Sequence, residues 1–164
     1  MPIIFAVGHH ISGFIARSDS LKAMDGVRAA VCQLEQRFAF LPISDDMVDP
    51  DEPSSHFQCF SVLTQSLTEW AIARSSEYPI VYIETDYFGG TGAQAAVVWK
   101  DGRISVGPLE TRNDDNSPRT SLRDSAINQC LRFLGADCVG HIDEFAAVGL
   151  ARHRSNEGWV TSGK

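Results

Sequence analysis

Hydrophobic positions in this chain follow two periods, and the densest stretch of period two is Ile80–Val106, IVYIETDYFGGTGAQAAVVWKDGRISV. Ile80–Tyr87 is rich in β-branched and aromatic residues, Ala93–Lys100 is a second apolar run, and Arg103–Val106 is a third. Asp101-Gly102, between the last two, signals a hairpin, because a type I′ turn needs positive φ at both central residues. Gly89-Gly90-Thr91-Gly92 cannot hold a helix and lets the backbone turn sharply. The block therefore predicts a three-stranded antiparallel meander. In its first strand one parity is Ile80, Tyr82, Glu84 and Asp86, and the other is Val81, Ile83, Thr85 and Tyr87. The second parity predicts the core face, while the first turns acidic toward the strand's C-terminal end.

Pro2–His9 is a nearly continuous apolar run, and it predicts a central strand covered on both faces and ended by Ser12-Gly13. Three stretches carry helical spacing. Asp19–Phe38 places Leu21, Met24, Val27, Val31, Leu34 and Phe38 on one face, with Asp19 or Ser20 as N-cap. His56–Ser75 does the same through Phe60, Leu63, Leu67, Trp70 and Ala71. The third opens at Ser117-Pro118, an N-cap followed by a first-turn proline, and runs to Leu134 with Gly135 just past its end. Ile142–Leu150 predicts a short helix, and the tail from Ser155 reads as frayed, with Trp159 the residue able to dock. Ser44–Ser55 is a polar break with Asp45, Asp46, Asp49, Asp51, Glu52 and two prolines, and it reads as an exposed loop. Gly107–Ser117 reads as a second polar loop. The expected fold is one α/β (α+β) domain over residues 1–164. It has a mainly antiparallel sheet of four or more strands, covered by about three long helices in two or three layers.

Composition narrows the function. A hydrophobic content of 43% with 21% charged residues is that of an ordinary globular chain. The net charge of −7 argues against non-specific nucleic-acid binding and against an anionic membrane surface, both of which call for a basic face. No stretch approaches the roughly 20 apolar residues of a membrane span, and MPIIFAVGHH lacks the basic start of a signal peptide. Cys32, Cys59, Cys130 and Cys138 form no C-x-x-C pair, and three of them lie in apolar helical patterns. They read as buried, reduced thiols in a cytoplasmic protein, with no zinc or other metal and no cofactor.

No nucleophile elbow, H-E-x-x-H helix or phosphate-loop pattern occurs. Gly89–Gly92 lacks the following helix that would aim N–H groups at a phosphate, so it reads as a bulged hairpin that leaves room for another surface to approach. Glu84 and Asp86, two apart on one strand face, would sit roughly 7 Å from each other. They suit acid/base work, a cation, or a solvated strand face paired with a basic side chain. His9 and His10 point to opposite sides of a regular strand and cannot share a metal. The candidate partner-binding set is Glu84, Asp86, Tyr87, Gly89, Gly90, Gly92 and Gln94, assisted by the acidic loop Asp45–Glu52.

The block Tyr82–Gly102, with its Y-F-G-G-x-G-x-Q core, resembles one found in small uncharacterised bacterial proteins. Some proteins of that general kind are immunity proteins, encoded beside secreted antibacterial toxins and binding them. The resemblance covers about an eighth of the chain and carries over no catalytic residue. It implies a non-enzymatic binding protein, most concretely an immunity-type inhibitor that binds and occludes a bacterial toxin. The alternative is a small enzyme using Glu84 and Asp86 as an acid/base pair.

Overall fold

A computed structural model describes residues 8–22, 30–114, 116 and 120–162. Its centre is a six-stranded sheet with every pairing antiparallel, in the order β2-β3-β1-β4-β5-β6. The strands are β1 (Ser12–Arg17), β2 (Cys32–Gln33), β3 (Phe38–Pro42), β4 (Ile80–Phe88), β5 (Thr91–Lys100) and β6 (Arg103–Asn113). The described residues also form four short α-helices, α1 (Gln65–Arg74) between β3 and β4, and α2 (Ala126–Phe133), α3 (Glu144–Ala147) and α4 (Asn156–Ser162) after β6. The α+β class and the antiparallel sheet are as the pattern predicts, but the helices are short rather than three long ones.

The meander forms where its turns are written. Asp101 and Gly102 take φ of 55° and 77°, and Gly89 and Gly90 take 61° and 83°. Each pair closes a two-residue turn, with Lys100 opposite Arg103 and Phe88 opposite Thr91. Both parities of β4 are buried. Val81 and Ile83 join a core beneath α2, α3 and α4, whereas Ile80 and Tyr82 join a second core beneath α1 and the segment 43–63. The sheet is thus the middle of three layers, which explains why β4 and β5 are continuous apolar runs. The Tyr82 ring packs between Phe14 and Phe60, with centroids 5.0 and 5.1 Å away.

Several elements depart from the sequence pattern. Of the helix expected over Asp19–Phe38, residues 23–29 lie outside the described residues, and the C-terminal half is a β-hairpin. Leu34 and Phe38 are four apart because a tight turn joins them, with Gln36 and Arg37 at positive φ of 59° and 63°. Phe38–Pro42 is buried throughout, as a strand covered on both faces must be. The strand expected over Pro2–His9 falls mostly outside the described residues, leaving His9 bridged to Tyr87. Ser12-Gly13, expected to end a strand, instead begins β1. Gly13 is there because any Cβ would run into the Phe40 ring and the Leu41 carbonyl.

Helix α1 starts at Gln65 rather than near His56, capped by Thr64 Oγ1, which accepts from Leu67 N–H at 3.2 Å. The third expected helix begins at Ala126, after a 3-10 turn over Leu122–Asp124, and Gly135 ends it at φ 98° as anticipated. The expected second polar loop is largely strand. β6 runs past a bulge at Gly107 to Asn113, because an edge strand can carry polar residues on both faces. Within the tail expected to fray from Ser155, Asn156–Ser162 is helix α4, and Trp159 is 2% exposed against Phe40. No described helix is long and apolar enough to cross a membrane.

Candidate functional site

The C-terminal half of β4 delivers Glu84 and Asp86 to one end of the sheet, on the α1 side. The two carboxylates meet different fates there. Glu84 is buried, because the segment 57–63 folds over it. Its carboxylate accepts from Ser61 N–H at 2.7 Å, Val62 N–H at 2.5 Å and the Tyr82 hydroxyl at 3.1 Å. Burial pushes the Glu84 carboxyl up from its ordinary range, against the pull of those hydrogen bonds. Burial, then the neighbouring Glu84 charge, holds the Tyr82 hydroxyl well above the usual phenol range. Asp86 is exposed and lies 3.3 Å from His10 Nδ1, with side chains 81% and 71% exposed. A pair so open to solvent is screened and holds little energy.

A cleft of about 200 Å³ opens beside these residues, and its rim also carries Cys59, Gln58, Glu110 and Arg112. Arg112 Nε donates to Glu110 Oε1 at 3.0 Å. The Cys59 thiol is raised by burial and then by the Glu110 and Glu84 charges, the opposite of what activates a nucleophilic thiolate. A second, larger cleft of about 600 Å³ adjoins the first and shares His10, Ser12, Ser61 and Val62 with it. Its other wall is the acidic loop, through Asp45, Asp49 and Glu52. Buried Met47 pins that loop, Asp49 accepts from Asp51 N–H at 2.9 Å, and Glu52 accepts from Ser66 N–H at the start of α1. Asn156 of α4 forms the floor: it accepts from Ser12 N–H and donates to Ser12 Oγ and the Ile43 carbonyl, each at 2.9 Å.

The other sequence candidates divide between the two faces. Tyr87 is buried on the α2 side, where Gln94 Nε2 donates to its hydroxyl at 3.3 Å. Gln94 borders the first cleft, but its amide oxygen accepts from Ile127 N–H at 2.9 Å and so ties the sheet to the start of α2. Gly89 and Gly90 form the hairpin tip, and Asn113 Nδ2 braces it by donating to the Gly90 carbonyl at 2.7 Å. Gly92, at φ 155°, lines the first cleft, and a Cβ there would strike the Asp86 carbonyl. The structure therefore unites Glu84, Asp86 and Gly92 with the acidic loop, and places Tyr87 and Gln94 in the packing between layers.

Sequence reasoning missed Glu110 and Arg112, which it read as loop, and Gln58 and Cys59, which it read as helix. Alternation of Glu110 and Arg112 about Thr111 was the available signal. Among the described residues, no group of three His, Cys, Asp or Glu is placed to hold a metal ion, and the four described cysteines are free thiols. Compared with known proteins, the chain matches no family model, no curated protein and no solved structure.

Proposed function

We propose that this is a non-enzymatic binding protein that receives a basic protein surface in its acidic double cleft, most concretely an immunity-type inhibitor that occludes a bacterial toxin. One observation carries the reading. Two acidic segments separated by 31 residues of sequence, Asp45–Glu52 and Glu84–Asp86, line adjoining clefts that share four residues. The proposed mechanism is occlusion, with carboxylates steering a basic active-site cleft onto this face. The alternative, acid/base catalysis by Glu84 and Asp86, fits less well. Glu84 spends its oxygens on three donors of its own chain, and Asp86 lies open to water.

The test is co-expression with the products of adjacent genes, followed by a titration of any partner with variants. Asp45→Lys with Asp86→Lys should weaken binding at least about tenfold while leaving the melting temperature nearly unchanged, as surface substitutions do. Glu84→Ala should instead destabilise the fold by about 1–2 kcal/mol, because it removes the acceptor of two part-buried N–H groups, Ser61 and Val62. Unaltered affinity in the double lysine variant would remove the acidic face from the function.

A further inference from the structure

The edge of the sheet at β6 carries an inference that does not depend on the proposed function. β6 is eleven residues long and, among the described residues, has a strand on one side only, whereas the opposite edge, β2, has two residues. The direction of its main-chain groups follows from its neighbours. Thr85 and Tyr87 donate away from β5, to the carbonyls of Ile11 and His9, both at 2.9 Å. Alternation then turns Glu84 and Asp86 toward β5, where they face Ala95 and Ala93. Gly92 and Gln94 accordingly face β6, opposite Asn113 and Thr111. The N–H and C=O groups of Glu110 and Arg112 therefore point outward from the sheet. Their side chains stand together on one face, ion-paired at 3.0 Å. Thr111 turns to the other, where its Oγ1 accepts from Ala126 N–H at 2.9 Å.

We propose that this edge pairs antiparallel with the same edge of a second copy of the chain, about a two-fold axis through Thr111. That register sets Glu110 opposite Arg112 of the second copy, and Arg112 opposite its Glu110. Both become hydrogen-bonded pairs, each exchanging two main-chain bonds, while Thr111 meets its counterpart in a non-hydrogen-bonded pair. Every carboxylate gains a guanidinium directly across, so the side chains and the backbone select the same register. Centring the axis on Glu110 or on Arg112 would set like charges face to face. Charges on an edge strand ordinarily keep other strands off, and these alternate so that one partner is left. Pro108, which has no N–H to donate, ends the pairing beyond Leu109. The paired stretch is short, so the product is a reversible dimer rather than an obligate one.

Sedimentation equilibrium of the full chain over a range of concentrations tests this with four proteins: the wild type, Glu110→Arg, Arg112→Glu and the double swap. Each single reversal should raise the dissociation constant by about tenfold, since it turns two attractive cross-strand pairs into repulsive ones. The double swap restores the pairs in mirrored order and should recover wild-type association. Hydrogen exchange on the wild type gives a readout free of any folding defect: the Glu110 and Arg112 amides should slow as concentration rises. A chain that stays monomeric into the millimolar range, a dimer equally strong in all four proteins, or one that the swap fails to rescue would each overturn the proposal.

Discussion

His9 is fully buried, with Nδ1 2.8 Å from Thr85 Oγ1 and the ring edge-on to Phe145 at 5.5 Å. Burial, then the charges of Arg154 and His10, push its imidazole down to about 4 from an ordinary 6.5. The unfolded chain therefore binds a proton near pH 6.5, and the folded chain does so only near 4. Between those values the unfolded state holds more protons, so stability falls as pH falls, by about 3 kcal/mol across the window. Glu84 acts in the opposite sense. Its raised carboxyl contributes stability at low pH that is lost as pH rises above its unfolded value. Urea unfolding of the wild type and His9→Gln at pH 7.5 and pH 4 isolates the histidine. The wild type should lose about 3 kcal/mol relative to the variant on acidification, and a constant difference would mean that His9 titrates alike in both states.

Among the elements, those with local turn chemistry were legible and those set by distant contacts were not. Asp101-Gly102 and Gly89-Gly90 wrote both hairpins of the meander, since positive φ at adjacent positions depends on the residues themselves. The C-terminal part of the helix expected over Asp19–Phe38 is a hairpin because Leu34 and Phe38, four apart, face each other across a turn instead of along a helix. β6 was cut short at Gly107 because its polar residues belong to an edge, and nothing local marks a strand as the last in its sheet. Gly13 looked like a terminator for the same reason. Its role comes from Phe40 and Leu41, which are distant in sequence and packed against it in β3. Gly13→Ala should destabilise the protein by about 2–4 kcal/mol through overpacking in a central strand. Gly89→Ala, at an open hairpin tip with φ 61° and nothing within 4 Å of its Cβ, should cost only about 1 kcal/mol. Chemical denaturation of the two variants side by side checks the order, and a Gly89 variant weaker than the Gly13 variant would refute the packing argument.

At the scale of the whole molecule, the site was half legible. Alternation placed Glu84 and Asp86 on one face of β4 and Tyr87 on the other, but it could not show that the segment 57–63 would bury the first carboxylate and leave the second in water. Nor could it bring the Asp45–Glu52 loop alongside, since that requires the crossover of the chain through α1. What emerges is one acidic surface on a molecule of net charge −7. Exposed carboxylates on such a surface act at a distance, and the ions of the medium screen them within about 10 Å at 0.1 M salt. Under the proposed function, their contribution to binding a basic partner is therefore chiefly kinetic, through faster encounter. Stopped-flow association with such a partner should slow by about tenfold between 0.05 and 0.5 M salt, with dissociation changing far less. In Asp45→Lys/Asp86→Lys the slope of the association rate against salt should flatten. If the salt dependence resided in dissociation, or survived the double substitution, attraction would arise elsewhere on the surface and the double cleft would not be the docking face.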